Sequence, residues 1–163
     1  MEVPLGRHLF LAHRASADHI DERLRAVGAS IWMWLLLRHA IQADGPSQRE
    51  LAELMRIEAP TLVRHLDKLE EQGLVERRRD ERDRRIVRVY PTAAGFARFE
   101  EFHAVVLDAD QELRAALGER DAATLSRVLA KVERHYGVEP TVKGAPAGMA
   151  PGANGSRKEG TRT

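Results

Sequence analysis

The chain has 163 residues, 43% hydrophobic and 31% charged, with a net charge of +1, which is the make-up of one soluble globular domain large enough for a real core. Its longest apolar run, Ile31 to Leu37, falls far short of the roughly 20 residues that cross a bilayer. The absence of cysteine excludes a disulfide scaffold, a thiolate nucleophile, a zinc finger and a thiol redox sensor. Arg7, His8, His13 and Arg14 interrupt the apolar letters near the N-terminus, so no secretory signal is expected and the protein reads as cytoplasmic.

From Leu5 the positions Leu9, Ala12, Ser16, Ile20, Leu24 and Val27 recur every three or four residues, which predicts a first helix ended by Gly28. Ser30 is a predicted N-cap for a second helix reaching about Ala43, apolar on all sides and therefore expected to be buried; Asp44-Gly45-Pro46 must stop it. Ser47 and Glu50 have the spacing of a capping box, so a third, short helix begins at Ser47. Pro60 suits a first helical turn, and Leu62, Leu66 and Leu69 mark the buried stripe of a fourth helix closed by Gly73 and Leu74. Two short helices joined by a tight turn form a helix-turn-helix pattern.

Two strands are expected next, Val75 to Arg79 and Ile86 to Tyr90, joined by a polar tip. Thr92 can cap a long fifth helix carrying Phe96, Phe99, Phe102, Val106, Leu113 and Leu117, and a sixth runs from about Glu119 to Tyr136. From Val138 the Gly-, Pro- and Ala-rich sequence is too poor in large apolar groups to fold and is expected to be a disordered tail. The division is therefore 1–28 for an N-terminal helix, 29–91 for the helix-turn-helix with its hairpin, 92–137 for the C-terminal helices and 138–163 for the tail. The fold class is mainly α, with a small β element (α+β).

The window from Arg77 to Arg88 holds seven arginines against Asp80, Glu81 and Asp83, a net +4 in a nearly neutral chain. Duplex DNA carries about one negative charge per ~1.7 Å of axis, so a cationic hairpin directly after a helix-turn-helix reads as a DNA-binding wing. On the fourth helix Thr61, Arg64, His65 and Lys68 fall at i, i+3, i+4 and i+7, opposite the leucines, and can enter a major groove. Arg64 suits a bidentate contact with guanine, and Thr61 a thymine methyl or a phosphate; Pro60 lies beside them. Ser47 and Gln48 offer side chains and free N–H groups to phosphates. In the tip, Arg82, Asp83, Arg84 and Arg85 complete the contact set, with the Asp83 carboxylate expected to orient Arg85 toward a minor groove.

The order of elements, "IEAPTLVRHLDKLEEQGLVERRRDERDRR", the later "PTAAG" and the early "LGRHLFLAHRASADHIDERL" together resemble the MarR family of bacterial regulators, most closely its SlyA-type branch, over Leu5 to Tyr136. The resemblance implies a winged helix-turn-helix homodimer with intertwined N- and C-terminal helices, a pseudo-palindromic double-stranded DNA operator, and control by small phenolic or aromatic carboxylate effectors. By matching position, Thr61 and Arg64 would read bases or phosphates, and Asp83 and Arg85 would form the wing-tip pair. Trp34 falls where the family commonly has a tryptophan, and Arg14 where the SlyA branch has an arginine. Met33 stands in place of the usual Gln or His, and Pro91 in place of the usual leucine.

The apolar stripes of the first and sixth helices cannot be hidden within one small lobe, which points independently to a twofold dimer. His13 and Arg14 are the cationic partners available to an acidic aromatic ligand near Trp34, although Arg14 can equally pair with Asp18. Neither metal-ligand spacing among the seven histidines, nor a nucleophile elbow, nor a glycine-rich phosphate loop is present, so neither a metal or other cofactor nor catalysis is expected. The competing readings are a winged-helix protein–protein interaction module without DNA binding, and an enzyme acting in the small-molecule pocket.

Overall fold

The computed structural model describes residues 3–138. The elements run α1 (Leu5–Ala26), α2 (Ile31–Gln42), α3 (Gln48–Met55), α4 (Ala59–Glu71), β1 (Val75–Arg79), β2 (Val87–Pro91), α5 (Ala93–Leu117) and α6 (Glu119–His135). One compact unit extends to Ala122, and the remainder of α6 belongs to a second. The disordered tail expected for 138–163 lies outside the described residues, Val138 excepted.

Local chemistry explains the boundaries. The Ser30 hydroxyl accepts the Met33 N–H at 3.3 Å, and the Asp21 carboxylate reaches across from α1 to accept the Ile31 N–H at 3.0 Å, so two free donors of α2 are satisfied. At α3 both halves of the capping box form: Ser47 accepts the Glu50 N–H at 3.1 Å, and Glu50 accepts the Ser47 N–H at 2.7 Å. α4 ends in a 6→1 bond from the Leu74 N–H to the Leu69 carbonyl at 2.8 Å, which requires the left-handed φ of +69° that Gly73 supplies. Thr92 caps α5 by accepting the Gly95 N–H at 3.0 Å and donates to the Gly73 carbonyl at 2.6 Å, joining the end of α4 to the start of α5.

The core of this unit gathers Leu24 of α1, Leu36 and Leu37 of α2, Leu51 of α3, Leu62, Leu66 and Leu69 of α4, Val89 of β2 and Phe102 of α5, all fully buried. At roughly 1.5 to 3 kcal/mol for each large side chain withdrawn from water, this cluster is the main favourable term holding the lobe together. α2, expected to be buried on all sides, buries Trp34, Leu36, Leu37, His39 and Ala40, while Trp32 stays 38% exposed.

β1 and β2 pair antiparallel with Val75 opposite Pro91 and Arg79 opposite Val87. The second strand therefore starts and ends one residue later than the expected Ile86 to Tyr90. Ile86 belongs to the turn instead: its N–H donates to the Asp83 carbonyl and its carbonyl accepts the Asp80 N–H, both at 2.9 Å. Pro91, which has no N–H to donate, is tolerated because it closes the ladder at its end. The other edge of β2 is partly covered, since the Val89 N–H donates to the Pro46 carbonyl at 2.9 Å and Ser47 bridges Arg88.

Candidate nucleic-acid interface

The α4 helix turns its leucines inward and leaves Pro60, Thr61, Arg64 and Lys68 exposed, which is the division that a helix entering a groove needs. His65 departs from the expected polar face. It is half-buried and stacks on Trp32 of α2, ring centroids 5.4 Å apart and planes 20° apart. Burial, helped by the neighbouring Lys68 charge, lowers the His65 pKa, so a neutral ring braces α4 against α2. Its position three residues beyond Leu62 places it at the margin of the two faces, where the tertiary neighbour decides.

At the start of α3, Ser47 and Gln48 are half-buried. The Ser47 oxygen is already engaged by Glu50, whose carboxyl is held below its usual range mainly by the hydrogen bonds to Ser47. The Ser47 N–H and hydroxyl therefore both serve the Glu50 carboxylate. Between α3, α4 and the wing lies an open concavity of about 730 Å³, lined among others by Gln48, Ala52, Leu62, Val63, Arg85 and Ile86.

The seven wing arginines divide into two classes. Arg77 turns back to α4, its Nε donating to Glu70 at 2.9 Å and its Nη2 to Asp67 at 2.8 Å, while its backbone N–H reaches Glu70 at 3.1 Å. Arg78 pairs with Glu76 and lies over the Tyr90 ring at 5.1 Å. Arg88 donates its Nε to Asp80 and its Nη1 to the Gly45 carbonyl at 3.0 Å. By contrast, among the described residues no carboxylate pairs with Arg79, Arg82, Arg84 or Arg85, all exposed, nor with Arg64. The root of the wing is riveted to α4 and to the α2–α3 turn, and its tip holds free cations.

Asp83 also acts differently from the expectation. Its carboxylate accepts the Arg85 backbone N–H at 3.0 Å and does not pair with the Arg85 guanidinium. A side chain two residues back captures the nearer backbone donor, forming an Asx turn, so Asp83 shapes the loop and leaves the guanidinium free. Sequence reasoning missed Asp80 as the centre of the tip. One of its oxygens accepts the N–H groups of Arg82 and Asp83, at 2.8 and 3.0 Å, and the other accepts Arg88. The Arg88 guanidinium first, then those two N–H groups, bring the Asp80 pKa down to about 2. The signal was present in the period-two series Glu76, Arg78, Asp80 and Arg88, Tyr90, which falls on one face of the hairpin.

No hydrogen bond, ion pair or ring contact joins the three residues expected to bind a ligand, His13, Arg14 and Trp34, to one another among the described residues. His13 and Arg14 are exposed on α1, Arg14 being 3.8 Å from Asp18. Trp34 is buried, parallel to His103 at 6.1 Å and beneath Arg38 at 5.4 Å. The Trp34 indole N–H and His103 Nδ1 are buried without a hydrogen-bond partner among the described residues. No group of three His, Asp or Glu among those residues is placed to hold a metal, and none of their helices is long and apolar enough to cross a membrane.

Residues 33–87 match the model of the MarR family. The fold is similar to that of wild-type apo MarR from E. coli, with a TM-score of 0.74 and 30% identity over 81% of this chain and 98% of that one. It is also similar to a mutant of E. coli MarR complexed with operator DNA (TM-score 0.72, 30% identity, 80% of this chain and 94% of that one). A third likeness is to the transcriptional regulator PA3341, with a TM-score of 0.71 and 31% identity over 83% of this chain and all of that one. The family match, the winged helix and the 30 to 31% identity with near-complete coverage of those chains place the protein in the MarR family.

Proposed function

We propose that this chain is a ligand-responsive, cytoplasmic transcriptional regulator that binds a pseudo-palindromic duplex operator as a homodimer, with α4 in the major groove and the arginine tip in the minor groove. The observation that carries the reading is the division among the arginines. Those at the wing root are neutralised within the chain, while Arg82, Arg84 and Arg85 stand unpaired on the same lobe as exposed Arg64 and Lys68. A folded protein that leaves several guanidiniums without carboxylates gains by bringing them to phosphates, where counterion release adds to affinity. The similarity to an E. coli relative complexed with operator DNA supports DNA binding by this chain.

An aromatic carboxylate or phenolic effector is the ligand we assign, acting near Trp34, whose unpaired indole N–H can donate to an acid. His13 and Arg14 are assigned as the cationic partners of that ligand. Arg14 is also the residue that supports placement in the SlyA-type branch. No catalytic role falls to any of these groups.

The test is a mobility shift on genomic fragments at 50 and 200 mM salt, where several phosphate contacts per dimer predict a loss of affinity on the order of 10³-fold. Arg64→Ala should weaken the cognate site by about 1 to 3 kcal/mol and relax one base position, whereas Arg85→Ala weakens all duplexes evenly. Absence of a shift at either salt would transfer the surface to a protein partner, and an unchanged salt slope in Arg85→Ala would remove the wing from the interface.

A further inference from the structure

Antiparallel pairing places Arg78 directly opposite Arg88 on the outer face of the hairpin, where two like charges repel. The repulsion is answered separately on each side. Arg78 takes Glu76 and the Tyr90 ring, and Arg88 takes Asp80. Asp80 in turn holds the Arg82 and Asp83 N–H groups that shape the tip. The same Arg88 guanidinium donates at 3.0 Å to the carbonyl of Gly45, in the turn that leads into α3. Tyr90, the next residue on that face, packs so closely on Gly45 that a Cβ there would lie 2.2 Å from its ring. A single side chain therefore joins the far end of the wing to the base of the helix-turn-helix, and it is only 33% exposed.

We propose that Asp80 and Arg88 are positioning residues for DNA binding, a latch that holds the wing tip at a fixed attitude to α3 and α4 so that Arg82, Arg84 and Arg85 meet phosphates without first losing conformational freedom. Neither latch residue contacts DNA. The geometry supports this division, because both charges are consumed by one another and by backbone groups while the tip guanidiniums are not. A hairpin ordered before binding loses less entropy on association, so the latch acts on affinity through preorganisation. The proposal rests on the reading of the wing as a DNA-binding element.

The decisive experiment exploits opposite signs. Asp80→Asn keeps the acceptor oxygen for the Arg82 and Asp83 N–H groups but sets its amide donor against the Arg88 guanidinium. Charge alone predicts that deleting a carboxylate beside a polyanion tightens binding to a mixed-sequence duplex and steepens its salt dependence. The latch predicts binding about tenfold weaker and a log–log salt slope shallower by about one to two. Arg88→Lys conserves charge yet cannot span Asp80 and the Gly45 carbonyl with one planar fork, so charge predicts no change and the latch predicts the same weakening. Both variants are compared with wild type and with an Arg82→Gln/Arg84→Gln/Arg85→Gln protein, after thermal melts have established that each is folded. Failure of the triple variant to weaken binding would remove the wing reading itself. A triple variant that weakens binding, alongside an Asp80→Asn protein that binds as tightly as wild type or tighter, would overturn the latch alone.

Discussion

Between residues 29 and 91 the protein hides most of its large apolar side chains, whereas the long helices on either side leave many of theirs in solvent. The thirteen residues of α4 bury three leucines completely, while the twenty-two residues of α1 bury Leu24 alone. Of the twelve large apolar residues exposed among those described, only Trp32 and Leu54 belong to the winged lobe; Leu5, Phe10 and Leu11 of α1 and Leu107, Leu113 and Leu117 of α5 are among the rest. The lobe is complete as a single chain, and the helices are complete only if something covers them. This contrast is the physical basis of the proposed homodimer, since a repeated apolar stripe on a single chain is most simply covered by its own copy.

Charging α1 is the severest way to break the contrast. Phe10, 61% exposed, and Leu11, 44% exposed, contribute little to the lobe, so the double variant Phe10→Glu/Leu11→Glu should keep its helical spectrum. It should nevertheless sediment as a monomer and lose about 10²- to 10⁴-fold in affinity for a two-half-site duplex, because the second recognition helix no longer arrives tethered to the first. A wild-type chain that sediments as a monomer, or a charged variant that remains dimeric, would assign the exposed stripe to some other partner.

A pair of alanine substitutions sharpens the comparison at a smaller scale. Leu66→Ala removes a fully buried side chain and should lower the free energy of unfolding by about 2 to 5 kcal/mol at any protein concentration. Leu113→Ala, at a residue 46% exposed in the single chain, should change little in a dilute sample and lower the melting temperature only where dimer predominates. Denaturation at two protein concentrations separates the outcomes. A concentration-independent loss at Leu113 would mean that α5 stabilises the lobe from within.

The same contrast shows what could be read in advance. Helix limits were legible because they depend on local chemistry: Ser30, the Ser47–Glu50 box, Gly73 and Thr92 each satisfy backbone groups a few residues away. The exposed face of α4 was legible for the same reason, since Leu62, Leu66 and Leu69 define its opposite. What escaped was tertiary. His65 looks like a polar-face residue until Trp32 of α2 is set beside it. Asp83 was expected to hold a guanidinium and instead holds the backbone, because the turn brings an N–H nearer than any side chain. Asp80 and Arg88 share a face only once the hairpin register is known, and that register depends on a turn that takes Ile86 out of the strand. Arg14 meets Asp18, and Trp34 meets His103 and Arg38, so the contacts that the structure shows for the expected ligand residues are with other side chains.

The smallest expected effect concerns acid. Asp80 titrates at about 2 in the folded protein against an ordinary 3.8, chiefly because of the Arg88 guanidinium and then the Asp83 and Arg82 N–H groups. A carboxyl whose folded pKa is depressed contributes stability that is fully present above the unfolded value and is lost as pH falls through the folded one. Its contribution should therefore be constant above about pH 4 and fade between 3.8 and about 2. Glu50, Glu70 and Glu112 are shifted downward as well, so wild type will lose stability in acid for several reasons together. The difference between wild type and Asp80→Asn isolates this one, because the shared carboxyls cancel. Melting curves of the two should be separated by a constant gap from pH 7 to about pH 4 and converge toward pH 2. A gap that widened in acid would mean that Asp80 is bound more strongly when protonated, contrary to its contacts. Since Asp80 stays ionised throughout the neutral range, its pairing with Arg88 is not released by small changes of pH near neutrality.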